Sequence, residues 1–251
     1  MGYYAMSLSF KLKLSVVIPA KNEMENVEPF INEVVAALGD VPNFEIVYVD
    51  DGSTDGTFEE LLKLKQFNKH HLKAIKHKQS VGQSTAILTG VRVATGELIV
   101  TMDADGQNDP NDIPGMLQQA LLQPLGSDFC IAGYRKNRKD TVWKRFQSRL
   151  ANSVRSKILH DGTPDTGCGL KILPKSTFLK LPYFDHMHRF IPALVNRMGG
   201  KIVIVEVNHR ERQAGVSKYN MLGRLGVGII DILGVMWLQR RNKKADIEVQ
   251  L

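Results

Sequence analysis

The stretch Gly96–Pro110, GELIVTMDADGQNDP, decides how the rest of the chain is read. Leu98 to Met102 is a short apolar run with β-branched residues, the pattern of a buried strand. It stops abruptly at Asp103, Ala104, Asp105, Gly106 and Gln107. In an open parallel sheet, ligands sit beyond the carboxyl ends of the strands. Two carboxylates two residues apart therefore place hard oxygen donors at that rim. Such donors suit Mg²⁺ or Mn²⁺ shared with substrate phosphates rather than held in a closed protein cage. A solvated turn, with each Asp bonded to its own backbone, is the competing reading of an isolated pair. A calcium loop does not fit, because the twelfth position counted from Asp103 is Pro114 rather than Glu.

Upstream, Leu14 to Ile18 (LSVVI) predicts a first buried strand stopped by Pro19. A helix opens at Glu25 or Asn26 and runs through Val27, Phe30, Ile31, Val34, Val35 and Leu38, closed by Gly39 and Pro42. Phe44 to Val49 (FEIVYV) predicts a second strand, and it too ends in carboxylates, Asp50 and Asp51. A helix from about Thr57 to Phe67, a short strand from Lys73 to Lys76 and a helix from about Gln83 to Ala94 complete the first half. Strand–helix alternation of this kind predicts βαβ units and a parallel sheet. Downstream, the pattern predicts a helix over about Pro114 to Gln123 and strands at Phe129 to Ala132 and Ile202 to Val207. The segment DGTPDTGCGLKIL reads as a loop that runs into a further strand.

Two helices have a different character. From Thr141 to His160, Phe146, Leu150, Val154 and Ile158 recur every four residues, flanked by Lys144, Arg145, Arg149, Arg155 and Lys157. That is a basic amphipathic helix, suited to an anionic surface or to the protein's own sheet. Met221 to Leu238 is apolar, but Arg224 and Asp231 interrupt it on one face. Each charge costs roughly 2.5–3.5 kcal/mol at a bilayer centre, so an interfacial position, with Arg240, Arg241, Lys243 and Lys244 at the headgroups, is expected instead of a span.

The 251 residues are 43% hydrophobic and 24% charged, a globular composition with a net charge of +7 that favours an anionic partner. No helix-turn-helix, RNA-binding or zinc-finger pattern accompanies that charge, so nucleic acid is not expected. Two cysteines, Cys130 and Cys168, imply no disulfide framework. The N-terminus has no signal-peptide pattern, and no apolar run approaches the roughly 20 residues of a membrane span.

VDDGSTDGT and MDADGQNDP, about fifty residues apart, combine with VVIPAKNEMENV into a specific set. Together they resemble the nucleotide-sugar-binding half of a family 2 glycosyltransferase with the GT-A fold, a Rossmann-like, mostly parallel α/β sheet flanked by helices. DTGCGLKI, HRFIPAL and HRERQAGVSKYNM narrow the resemblance to the polyprenol-phosphate glycosyltransferases, the group that includes dolichol-phosphate mannose synthase. The likeness runs from about Leu14 to Arg240. It implies a catalytic domain over residues 1–215, with a nucleotide-sugar half at about 12–110 and an acceptor half at about 111–215. Residues 216–251 form the membrane-interface helix and basic tail.

The resemblance implies roles residue by residue. Pro19, Ala20 and Glu23 line the base and ribose pocket with Asp50 and, behind it, Asp51. Gln83 sits near the nucleotide. Asp103, Asp105 and Gln107 meet Mg²⁺ or Mn²⁺ and the diphosphate. Arg135, Arg149, Arg212 and Lys218 surround the acceptor phosphate and donor diphosphate, as two approaching anions require. His188 and Arg189 face the acceptor. The implied donor is GDP-mannose or a UDP-hexose or hexosamine, and the acceptor is a polyprenyl phosphate. The implied setting is peripheral, on the cytoplasmic side of a membrane, with a homo-oligomer or an integral-membrane partner compatible. Where mannose-transferring members tend to carry SGFR, this chain has Gly167, Cys168, Gly169, Leu170 and Lys171, which leaves the sugar open.

Other readings compete. A family 2 enzyme acting on a hydroxyl acceptor needs a base, for which Asp165 is the candidate. A non-catalytic nucleotide-sugar-binding subunit would be expected to have lost Asp103 or Asp105, and both are present. Cys168 as a nucleophile has no recognisable His partner, and His186 with His188 as a metal pair has no third ligand nearby. Gly167-Cys168-Gly169 and Gly226-Val227-Gly228 lack the third glycine of a dinucleotide loop.

Overall fold

The computed structural model describes residues 13–67, 72–135, 155–211 and 221–241, with backbone alone for 221–227. Seven strands form one sheet: β1 (Leu14–Ala20), β2 (Phe44–Asp50), β3 (Leu72–Lys76), β4 (Leu98–Thr101), β5 (Phe129–Tyr134), β6 (Lys171–Pro174) and β7 (Lys201–Glu206). Their order is β3-β2-β1-β4-β6-β5-β7. The chain winds outward from β1 to β3, then returns to place β4 on the other side of β1. The switch point, where a crevice opens beyond the strand ends, therefore lies between β1 and β4.

The helices are α1 (Met24–Ala37), α2 (Thr57–Phe67), α3 (Gln83–Val93), α4 (Ile113–Leu121), α5 (Lys175–Leu179), α6 (Ile191–Arg197) and α7 (Met221–Arg240). They cover both faces, so β1, β2 and β4 are buried along their whole length. One layer packs Val27, Phe30, Ile31 and Val34 of α1, Leu61 of α2 and Met116 of α4 against Val16, Ile18, Tyr48 and Val100. The other packs Ala86, Ile87 and Val91 of α3, Leu194 of α6 and Val235 of α7 against Val17, Val47, Val49 and Ile99. A run of apolar residues buried on both sides is why these strands read as continuous rather than alternating.

The sheet is mostly parallel, as expected, with β6 running antiparallel between β4 and β5. The loop before it returns from beyond the strand ends, so the chain enters β6 from the site side. Helix α1 starts at Met24, where the Met24 N–H donates to Asp55 of the neighbouring loop and the Glu23 N–H to Thr57 at the start of α2. Helices α5 and α6 were not expected; each is under eight residues and carries too few turns for a periodic signal.

The basic stripe also falls differently. Residues 155–159 are helical, while 141–154, with Phe146, Leu150, Val154 and Arg149, lie outside the described residues. Arg155 and Leu159 point inward and Ile158 is exposed. Arg155 is buried because its guanidinium bonds both Asp161 oxygens, at 2.7 and 3.0 Å, and the Thr163 carbonyl. A charge paired on both terminal nitrogens tolerates an interior position that its type does not suggest, even though its Nε makes no hydrogen bond among the described residues.

Candidate active site

The site begins with β-register. Ala20 pairs with Asp50 and Val17 with Thr101, so Pro19, Ala20, Asp50 and the residues after β4 share one rim. The β4 ladder extends to the Met102 N–H, which donates to the Val17 carbonyl. Asp103 follows at once, its N–H held by the Oδ1 of buried Asn108 at 3.1 Å. Asp105 Oδ1 accepts the Gln107 N–H at 3.1 Å, folding the loop back on itself. The Gln107 carbonyl accepts from the Arg210 N–H, and Arg210 also bonds Glu33 and the Asn108 carbonyl. The strand returning from β7 is thereby stitched onto the acidic loop.

Asp103 packs against backbone from β6's approach. A Cβ on Gly169 would come 2.5 Å from Asp103 Oδ2, so only glycine lets that carboxylate sit there. Burial and the neighbouring Asp105 charge push the Asp103 carboxyl up to about 6, against the pull of Lys171, Arg135 and Gln83. Gln83 Nε2 donates to Asp103 Oδ1 at 2.7 Å. The side chain expected near the nucleotide thus holds a metal-type carboxylate in place. Buried Lys171 donates to the Cys168 carbonyl and supplies positive charge behind the rim.

The two carboxylates after β2 divide their work. Asp50 is fully buried, Oδ1 accepting the Ser53 N–H, and Oδ2 makes no hydrogen bond among the described residues. Asp51 is saturated: it accepts from His77, the Ser80 hydroxyl and the Val81 and Gly82 N–H groups. Burial alone would raise its carboxyl, but these bonds outweigh burial and hold it below the usual range. Its geometry is that of a loop anchor. Gly52, at φ +68, lets the turn close on the Gln79–Ser80 backbone, which a Cβ at that position would meet at 2.6 Å. Glu23 flanks the same rim, its carboxylate accepting from Asn26 at 2.7 Å.

Arg135 forms a bidentate pair with Asp165, Nε to Oδ2 at 2.6 Å and NH2 to Oδ1 at 2.9 Å, with Asp165 buried and Arg135 partly so. Asp165, the candidate base of the hydroxyl-acceptor reading, is thus engaged by a guanidinium on both oxygens. Arg212 and Lys218 lie outside the described residues, as Arg149 does. His188, expected to face the acceptor, instead places Nδ1 2.8 Å from the buried Ser84 hydroxyl. His186 turns away, toward Asp231 at 3.5 Å, so the two histidines do not converge. Cys168 is buried and its thiol pushed up by burial, the state of an inert packing group.

Among the described residues, no trio of His, Cys, Asp and Glu gathers into a closed metal cage. The donor set fits a divalent cation of the open kind. Asp103 and Asp105 repel one another across the rim, and a hard cation completed by substrate oxygens relieves that repulsion. Asn108, Ser80, His77 and Ser84 were not singled out by sequence reasoning. For Ser80, Ser84 and Asn108 the only signal is polarity in the segments QSVGQS and GQNDP, and for His77 a place just after β3.

Fold and rim define an α/β protein of the nucleotide-binding class with an acidic switch-point site. Residues 15–181 match the model of Glycosyl transferase family 2, and the chain belongs to that family. It is 37% identical over 233 residues to the dodecaprenyl-phosphate galacturonate synthase of Rhizobium johnstonii, covering 91% of this chain and 68% of the relative. It is 32% identical over 219 residues to an undecaprenyl-phosphate 4-deoxy-4-formamido-L-arabinose transferase of Photorhabdus laumondii, covering 86% and 66%. The chain thus spans about two thirds of the length of these relatives. The fold matches mannosyl-3-phosphoglycerate synthase from Rubrobacter xylanophilus with TM-score 0.67 at 17% identity, over 98% of this chain and 81% of that one. It matches the Pyrobaculum calidifontis mannosyltransferase PcManGT, solved with GDP-Man and Mn²⁺, with TM-score 0.65 at 20% identity, over 94% and 66%.

Proposed function

We propose that the chain transfers a sugar from a UDP- or GDP-linked donor to a polyprenyl phosphate, inverting the anomeric carbon and releasing the nucleoside diphosphate. The observation that carries this is that Asp103 and Asp105 share the β1/β4 switch-point rim with Asp50, whose buried Oδ2 makes no hydrogen bond among the described residues. The names of the relatives supply the acceptor class.

Pro19, Ala20, Glu23 and Asp50 would receive the base and ribose, with Asp51 shaping the loop behind them. Asp103, Asp105 and Gln107 would hold Mg²⁺ or Mn²⁺, which when bound stabilises charge on the departing diphosphate. Arg149, Arg212 and Lys218 would neutralise the meeting phosphates, with Arg135 contributing less because its charge is already paired with Asp165. An acceptor phosphate has its second pKa near 6, so it is already a dianion at neutral pH and needs no base. Asp165 locked to Arg135 agrees with that and disfavours the hydroxyl-acceptor reading. Rate then rests on alignment and charge stabilisation.

No helix among the described residues is long and apolar enough to cross a membrane. Helix α7 packs Val235 inward and exposes Ile229, Ile230, Leu233 and Trp237. That exposed face, followed by Arg240, Arg241, Lys243 and Lys244, supports a peripheral position on the cytoplasmic side of the membrane that holds the acceptor. The test is direct: incubate the protein with undecaprenyl phosphate, Mn²⁺ or Mg²⁺ and a panel of UDP- and GDP-sugars, then weigh the lipid product. A monophosphate-linked sugar lipid is expected. A lipid recovered unchanged, with sugar on a hydroxyl compound, would reverse the assignment.

A further inference from the structure

The first turn of α3 supports both acidic motifs. The Val81 and Gly82 N–H groups donate to Asp51 at 3.0 and 2.9 Å, and Gln83 holds Asp103 at 2.7 Å. The N-cap of α3, Gly82 (φ 97), has no side chain to cap the helix, and the local side-chain bond across this turn is the Thr85 hydroxyl donating to the Val81 carbonyl at 2.9 Å. A loop about a hundred residues later adds a second hold on the turn. The Ser84 hydroxyl lies 2.8 Å from His188 Nδ1 and accepts the His188 backbone N–H at 3.3 Å. Thr85 Oγ1 meets the Tyr183 hydroxyl at 2.6 Å, and a Cβ on Gly82 would come 3.3 Å from Asp185 Oδ1.

Ser84 is 1% exposed, so its hydroxyl needs a protein partner. With the backbone N–H occupying its acceptor side, the hydroxyl donates to Nδ1, which leaves the ring proton on Nε2. That requires a neutral imidazole. Burial, then the Arg189, Lys171 and His186 charges, hold His188 well below its ordinary value and supply one.

We infer that His188 is a positioning residue for the donor end of the site: through Ser84 it fixes the first turn of α3, and with it the Gln83 contact that aims Asp103. The inference rests on the donor reading of the rim and adds a residue beyond the span that matches the family model.

The whole chain is used, with His188→Phe keeping ring volume but no acceptor, and His188→Asn keeping an acceptor near the place of Nδ1. Mn²⁺ is titrated calorimetrically in the presence of UDP and, separately, GDP. Hydrogen exchange of residues 81–87 is read without metal or nucleotide. His188→Phe should weaken nucleotide binding by about tenfold or more, and raise donor KM while acceptor KM holds, with His188→Asn within about threefold of the parent. Exchange at 81–87 should accelerate in His188→Phe alone. Ser84→Ala should reproduce the loss, and the double variant should add nothing to it. Should His188→Phe not fold, Ser84→Ala carries the same expectation. Unchanged binding in His188→Phe, an equal loss in His188→Asn, or additive losses would overturn the inference alone. A parent protein that binds neither nucleotide would overturn the donor reading, and the inference with it.

Discussion

Asp103 and Asp105 are neighbours in sequence with different surroundings, and the difference is testable. Asp105 stands at the turn, its Oδ1 holding the Gln107 N–H. Asp105→Ala should abolish Mn²⁺-dependent nucleotide binding while the melting temperature stays near the parent's; full activity of that variant in chelator would remove Asp105 from the metal. Asp103 has its carboxyl raised from 3.8 to about 6, so ionising it costs the folded state free energy. That cost grows as pH rises from about 3.8 through 6 and is complete above it. Asp103→Asn should therefore stabilise the metal-free protein by about 1–2 kcal/mol above pH 6, the gain fading below pH 4, while weakening nucleotide binding. Equal melting temperatures at pH 8 would contradict this. Asp165→Asn leaves Arg135 one neutral partner, and under a phosphate acceptor much of the activity should survive; a dead variant with normal stability would favour a carboxylate base.

At the scale of elements, two pieces behave differently from their composition. Strand β2 buries Glu45, whose carboxylate accepts from Ser15, the Thr95 N–H and Thr95 hydroxyl, and pairs with Lys73 at 2.8 Å. Burial alone would raise it, but these partners outweigh burial and hold it at about 2, below its ordinary 4.5. Its contribution is complete above pH 4.5 and disappears as pH falls through 2. Glu45→Gln should cost about 2–3 kcal/mol in denaturant unfolding at pH 7, with the gap narrowing below pH 4. Helix α7 is tied to the core by Val235 and by Arg197 Nε on the Leu238 carbonyl, so deleting it would expose apolar surface. Substituting its outward face tests the membrane instead: Leu233→Glu with Trp237→Glu should lose binding to anionic vesicles at unchanged melting temperature. Undiminished co-sedimentation would remove α7 as the anchor.

At the scale of the molecule, the sheet brings β2's carboxylates and β4's carboxylates to one crevice, and a ligand there should stabilise the whole fold. Mn²⁺ with UDP or GDP at about a hundred times Kd should add about 2.7 kcal/mol, read as a rise in melting temperature that chelator reverses. A nucleotide-induced rise that persists in chelator would show binding without metal.

How much was legible follows from where each signal lives. LSVVI, FEIVYV and LIVTM are apolar runs stopped by Pro or Asp, so strands, their order along the chain and the acidic rim are carried by local residues. Nothing local shows that β6 runs antiparallel, because strand direction follows from the path of the loop before it. Arg155 looks solvated until Asp161 faces it, and Asp165 looks like a base until Arg135 takes both its oxygens. Asp50 and Asp51 are adjacent and alike in sequence. The loop carrying Ser80 to Gly82 ties Asp51 into the scaffold, while Asp50 keeps an oxygen that makes no hydrogen bond among the described residues. His188 reads as a motif residue, yet its partner Ser84 is about a hundred positions away. Periodicity and short motifs report what a residue's neighbours along the chain require, so the sequence by itself determined the family, the strands and the acidic ends. Which of those groups face substrate and which hold one another depends on pairings across the fold, and those only the tertiary structure decided.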